Sequence, residues 1–137
     1  MPRDVYLVVM LKSVHHLAII CSDYSRSKHF YTEVLGLEVR QEVYREARDS
    51  YKCDLSLHGE YIIELFSFPD PPVRVSRPEA RGLRHLAFAV EDLDLAVIQL
   101  QEKGVHTEAI RVDPHTGKRF TFFADPDDLP LELYEEG

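Results

Sequence analysis

At 137 residues, with 45% apolar and 29% charged content, the chain suits one compact soluble domain and is too short for two ordinary ones. A formal charge of −8 argues against non-specific binding to nucleic acid or an anionic membrane. Cys21 and Cys53 form neither a CxxC pair nor a disulfide framework, which fits a reducing cytoplasm.

The first notable segment is the apolar run Val5-Tyr6-Leu7-Val8-Val9-Met10-Leu11. It is too short to span a bilayer and no small-residue cleavage site follows it, so it reads as an added edge strand or a leader. A strand is then predicted over Ser13–Ser22. A helix follows from a cap at Asp23 or Ser25 to Gly36, with Phe30, Tyr31, Val34 and Leu35 as its apolar stripe. Gly36 suits the left-handed residue that ends a helix. Strands are predicted over Glu38–Tyr44, Ser50–Leu57 and Tyr61–Phe68, with His58-Gly59-Glu60 as a turn. Residues 69–82 form a linker, in which Pro69, Pro71, Pro72 and Pro78 interrupt ladder bonding.

The plan then repeats. A strand over Leu83–Glu91 leads to a helix from an Asp92 cap to Gly104, followed by strands around Val105–Val112, Arg119–Phe123 and Leu131–Tyr134. The repeat is visible in the residues themselves. His16-Leu-Ala-Ile-Ile is answered by His85-Leu-Ala-Phe-Ala sixty-nine positions later, and Asp23 by Asp92 at the same offset. Gly36 and Gly104, and Ile63-Glu64-Leu65 and Leu131-Glu132-Leu133, lie sixty-eight apart. A nearly constant offset across four landmarks marks a duplicated βαβββ unit. The units span about 12–68 and 83–135 of a single 1–137 domain.

Strand parity selects the functional side chains. Alternate residues face opposite sides of a sheet. His85, Ala87 and Ala89 therefore share an open face, while Leu86, Phe88 and Val90 meet the helix. By the same mapping His16, Ala18 and Ile20 are open, and His15, Leu17 and Ile19 pack behind. Glu64 and Glu132 point opposite to their apolar neighbours, into the same concavity. Ionisable groups inside apolar strands are costly unless paired or bound to a cation. Two histidines and two carboxylates suit a divalent first-row metal (zinc, nickel, cobalt, manganese or iron), and the lack of a cysteine ligand disfavours a purely structural zinc. The predicted metal set is His16, Glu64, His85 and Glu132. His29, His58, His106 and His115 have no matched partner and are expected as surface residues.

These residues resemble the vicinal oxygen chelate superfamily, whose best-known member is glyoxalase I. The segment Ser27-Lys28-His29-Phe30-Tyr31-Thr32-Glu33-Val34-Leu35-Gly36-Leu37 is similar to the family's helix-and-LGL stretch. Asp125-Pro126-Asp127 with Leu131-Glu132-Leu133 is similar to its C-terminal signature. Tyr44–Lys52 and Arg111–Phe123 resemble still more the small bacterial YaeR-type branch. The resemblance implies an α+β fold in which tandem βαβββ modules form a cupped eight-stranded mixed sheet, with helices on the outer face and one metal at the centre. It also implies a homodimer, with modules pairing within a chain or across subunits. The family's DPDG turn reads Asp125-Pro126-Asp127-Asp128 here, so aspartate must adopt a conformation that glycine takes more readily.

The chemistry expected is that of a glyoxalase-like metalloenzyme of the lactoylglutathione lyase type acting on a small carbonyl or hemithioacetal. The metal would chelate two substrate oxygens and stabilise the enediolate formed on proton loss. Glu132 or Glu64 would move the proton, with Glu132 favoured. Arg45, Arg48, Lys52, Arg111, Lys118 and Arg119 are candidate contacts to an anionic substrate. The rivals are an epimerase or extradiol-type dioxygenase on the same scaffold, and a non-catalytic small-molecule-binding protein.

Overall fold

A computed structural model of the chain describes residues 9–137, so most of the N-terminal apolar run lies outside the described residues. The first module contains β1 (Leu17–Cys21), α1 (Tyr24–His29), β2 (Glu38–Arg45), β3 (Ser50–Leu57) and β4 (Glu60–Ser67). The second contains β5 (Leu86–Val90), α2 (Leu93–Glu102), β6 (Arg111–Val112), β7 (Arg119–Ala124) and β8 (Pro130–Glu135). Each module is a four-stranded mixed sheet, ordered β1-β4-β3-β2 and β5-β8-β7-β6. In each, the first strand runs parallel to the last and the other pairs are antiparallel. The duplicated α+β plan is therefore present, as two hydrogen-bonded sheets.

The duplication extends to the caps. Asp23 accepts from the Arg26 N–H and Asp92 from the Leu95 N–H, satisfying donors that each first helical turn would otherwise leave unpaired. Past α1 the chain widens into a π-helical turn over Phe30–Val34 and leaves through Gly36 at φ +84°. Gly104 takes φ +81° at the matching exit. Both positions favour glycine because L side chains are strained at positive φ, although the space around each is open. The Asp125–Asp128 turn also adopts the left-handed conformation, with Asp128 at φ +65°. Its carbonyl accepts from Ser76 Oγ at 2.6 Å and its carboxylate pairs with Arg77 at 3.1 Å.

One expected strand is largely absent. Of Val105–Val112, only Arg111–Val112 forms a ladder with β7. The preceding stretch is held by separate contacts instead: the Glu108 N–H donates to the Phe122 carbonyl, and Thr121 Oγ1 donates to the Glu108 carbonyl.

The helix-side faces supply one hydrophobic cluster. Ile19, Cys21, Leu55, Ile63 and Leu65 from the first sheet join Phe123, Leu131 and Leu133 from the second. Phe30 and Tyr31 reach across, Phe30 lying 6.4 Å from Phe123 between ring centroids. Tyr31 is fully buried and donates its hydroxyl to Asp125 Oδ2 at 2.6 Å. Asp125 Oδ1 in turn accepts the Asp127 and Leu129 N–H groups. Burial pushes the Asp125 carboxyl above its ordinary value, while these donors act in the opposite direction. Ser22 N–H to Asp127, Arg26 to the Pro126 carbonyl, and Lys103 to the Glu33 and Val34 carbonyls complete the seam.

Tyr31→Phe removes the hydroxyl but leaves the ring, so it isolates the buried hydrogen bond. Leaving a buried carboxylate short of a donor should cost about 1–3 kcal/mol. Urea unfolding should show this as a lower midpoint with an unchanged slope.

Candidate metal centre

Pleating places Glu64 and Glu132 on the open faces, and His16 and His85 stand one residue before β1 and β5. In β1, Ile19 and Cys21 are buried whereas Ala18 and Ile20 are exposed, and in β4 Ile63 and Leu65 are fully buried on either side of half-buried Glu64. Glu64 stands between Ala18 and Asp54 on the neighbouring strands, and Glu132 between Ala87 and Phe122. The alanines leave room beside each carboxylate for a histidine from the strand entrance. His16 Nε2 lies 3.4 Å from Glu64 Oε1, and His85 Nε2 lies 3.2 Å from Glu132 Oε1.

The two pairs have different surroundings. His16 stacks on Tyr61 at 5.0 Å between centroids and 19° between planes. Lys52 Nζ bridges Asp54 Oδ1 at 2.7 Å and Glu64 Oε2 at 3.2 Å. Those bonds, led by the one to Asp54, hold the Lys52 ammonium above its ordinary value. Tyr61 donates to Asp54 at 3.3 Å, and burial first, then the nearby carboxylates, push its hydroxyl upward. The second module is aromatic instead. His85 meets Phe122 edge-on at 5.0 Å, with Phe120 beyond it. Lys52–Asp54 and Phe120–Phe122 occupy matching register positions opposite the last strand of their modules.

Within one chain the pairs remain apart. Among the described residues no three His, Cys, Asp or Glu side chains are close enough to hold one ion. The expected shared concavity is therefore not formed by a single chain. The reason is the seam: the modules dock through α1 and the Asp125–Asp128 turn, which leaves their open faces in separate places.

The other predicted residues divide by face. Arg45, Arg48 and Lys52 are on the open side of the first module, where Arg45 and Arg48 lie over Phe68 at 5.7 and 5.1 Å. Arg111 lies over Phe120 and Phe122 and pairs with Glu108 at 3.1 Å. Two positions are corrected. Lys118 belongs to the turn between β6 and β7, where its N–H and carbonyl close the loop onto Thr116 and Asp113. Arg119 is on the helix side of β7, bound to Asp94 and Glu135 at 2.9 Å each. Parity already separates Arg119 from Phe120 and Phe122, the open-side residues of the same strand.

His15 is also corrected. It precedes β1, so the alternation that would bury it has not begun. It is exposed, with Nδ1 2.8 Å from His16 Nδ1 and its ring edge-on to Tyr61. Asp54 and Tyr61 were missed. Their signal was the shared parity of Asp54 with Lys52, and a hairpin turn that carries β3 back alongside β4. A cleft of about 850 Å³ runs from His85 and Phe122 past Arg111 to α1, and His29 and His106 are exposed along it. No helix among the described residues is long and apolar enough to cross a membrane.

A duplicated βαβββ unit carrying a matched His–Glu pair on each open face defines a class of protein. The chain belongs to the Glyoxalase/Bleomycin resistance protein/Dioxygenase superfamily, whose profile it matches over residues 13–133. It is 70% identical to YwkD of Bacillus subtilis (strain 168) over 128 residues, covering 93% of this chain and 100% of YwkD. It is 66% identical to YaeR of Escherichia coli (strain K12) over 126 residues, covering 92% and 98%, which supports the YaeR-type branch. The crystal structure of a glyoxalase family protein from Enterococcus faecalis superposes with a TM-score of 0.86 at 48% identity, covering 93% of this chain and all of that one. More distant relatives include a 2-epi-5-epi-valiolone epimerase from Actinomyces sp, 31% identical across 88% of this chain and 78% of its own. A lactoylglutathione lyase from Schizosaccharomyces pombe is 26% identical, and the chain covers 47% of its length.

Arg119→Ala should act on stability alone. Its ion pairs are solvent-exposed and screened by salt. Thermal melts should show a small decrease in melting temperature that shrinks in high salt, with no change in metal or ligand binding.

Proposed function

We propose that two copies of this chain form a divalent-metal-dependent enzyme that moves a proton on a carbon adjacent to a chelated carbonyl. The metal would be held by the His16–Glu64 pair of one chain and the His85–Glu132 pair of another, close to one ion per chain. The supporting observation is the geometry of the pairs. Ligands at about 2.0–2.2 Å from one ion, roughly 90–110° apart, have donor atoms about 2.8–3.6 Å from each other. The His–Glu separations of 3.4 and 3.2 Å match adjacent positions on a single ion. Nitrogen and carboxylate donors without a thiolate fit zinc, nickel, cobalt, manganese or iron.

A divalent cation held by His16, Glu64, His85 and Glu132 would supply Lewis acidity to a substrate carbonyl. The chain's own residues do the rest. Glu132 takes the proton, because Glu64 is already shared between His16 and Lys52 whereas Glu132 has the Phe122 face beside it. Tyr61 and His15 hold the His16 ring so that Nε2 faces Glu64. Phe120 and Phe122 keep water from the Glu132 side. Proton transfer next to a carbonyl serves a lyase of the lactoylglutathione type and an epimerase alike, and relatives bearing both names support this reading.

Mixing separately purified His16→Ala and His85→Ala chains tests the shared site. A mixed dimer would carry one intact site and one doubly defective site. Equal mixing should then restore about a quarter of wild-type metal binding, since roughly half of the dimers are mixed. No recovery, with sedimentation confirming dimer exchange, would exclude ligands drawn from two chains.

Glu132→Gln keeps an oxygen ligand and removes the base. Turnover should fall about 10²–10⁴-fold while metal occupancy changes far less. The direct measurement is solvent deuterium entering a 2-oxo or hemithioacetal substrate at the acidic carbon. Undiminished exchange in the variant would give the role to Glu64.

A further inference from the structure

The open face of the first module carries an arginine with more hydrogen-bonding capacity than its surroundings use. Arg45 ends β2, opposite Ser50, whose side chain is fully buried and accepts from Arg45 Nη2 at 3.0 Å. The guanidinium lies over Phe66 at 4.8 Å and Phe68 at 5.7 Å, and the two rings are themselves stacked at 5.6 Å. Arg45 Nε is buried with no hydrogen-bond partner. Such a group is rare and calls for a partner that the chain does not supply. Among the described residues no carboxylate lies within ion-pair distance of Arg45 or Arg48. Asp49, close by in sequence, accepts from the Tyr44 hydroxyl instead. Arg48 adds a second guanidinium 5.1 Å from the Phe68 ring. Two cations on one ring, unpaired in a chain of net charge −8, are mutually repulsive unless an anion joins them.

We propose that Arg45, supported by Arg48, binds a carboxylate or phosphoryl group. The planar fork of a guanidinium already oriented by Ser50 and two phenyl faces loses little freedom on pairing with such an oxyanion. Phe66 is two residues beyond Glu64 on the same face of β4, and Phe68, just past the end of the strand, stacks on it. At about 3.4 Å per residue the anion would sit roughly 7–14 Å from the Glu64 carboxylate. The site therefore selects ligands with a negatively charged end remote from the reacting end. Its service to the metal centre rests on the function proposed above; its capacity to bind an anion does not.

The test uses metal-free full-length protein titrated with inorganic phosphate and with succinate at low ionic strength, followed by calorimetry. Saturable binding of at least one probe is expected, and tighter binding identifies the phosphoryl or the carboxylate class. Arg45→Gln should weaken it about tenfold or more, since hydrogen bonds to a charged group are being lost. Arg45→Lys retains charge and stem but not the fork, so it should weaken binding less and guards against a folding artefact. His16→Ala should leave binding unchanged. Equal affinity in wild type and Arg45→Gln, no saturable binding of either probe, or a loss in His16→Ala as large as in Arg45→Gln would each overturn the proposal. Metal analysis of the same His16→Ala protein reads the metal hypothesis separately, so the two can fail independently.

Discussion

The buried hydrogen bond from Tyr31 to Asp125 links residues ninety-four positions apart and joins the two modules. Asp125 is spent three ways: Oδ2 takes the Tyr31 hydroxyl while Oδ1 takes two N–H groups of its own turn. A carboxylate this buried is tolerated only when its lone pairs are occupied. That requirement fixes the turn, and the turn fixes how α1 of the first module meets β7 and β8 of the second. The π-helical widening at Phe30–Val34 brings Phe30 and Tyr31 into this seam together. Docking through helix and turn, and not through the first strands, leaves each open face unpaired with the other.

The same geometry explains why duplication has not made the halves equivalent. Both keep the elements that position a His–Glu pair: an entrance histidine, an alanine opposite the glutamate, and a last strand whose flanking residues are buried. Around that frame the modules diverge. The first surrounds its pair with Lys52, Asp54 and Tyr61, a polar network in which an ammonium shares Glu64. The second surrounds its pair with phenyl rings. One half thus surrounds its pair with charged and polar groups and the other with apolar rings.

Basic residues illustrate how much depends on face. Arg119 and Arg111 belong to paired strands of the same sheet, but Arg119 ties the start of α2 to β8 while Arg111 caps the aromatic wall beside His85. Arg45 differs from both in lacking a carboxylate partner among the described residues. In an acidic protein, an unpaired arginine is more informative than a paired one, because its donors remain available.

Local periodicity determined much of this in advance. The offset of sixty-eight to sixty-nine residues exposed the duplication, the Asp caps and Gly exits bounded both helices, and the two-residue alternation of strands put Glu64 and Glu132 on open faces beside the histidines that enter β1 and β5. These properties depend on neighbours within one element, so sequence order suffices to read them. Alternation failed where no ladder forms: His15 precedes β1 and is exposed, and Val105–Ile110 is held by individual contacts to β7. Tertiary structure alone decided that the two pairs stay apart within a chain, that Lys52 reaches Glu64, and that the Arg45 Nε has no partner. Each of these depends on side chains brought together from distant strands or modules, and spacing along the chain does not encode which face of one module meets another.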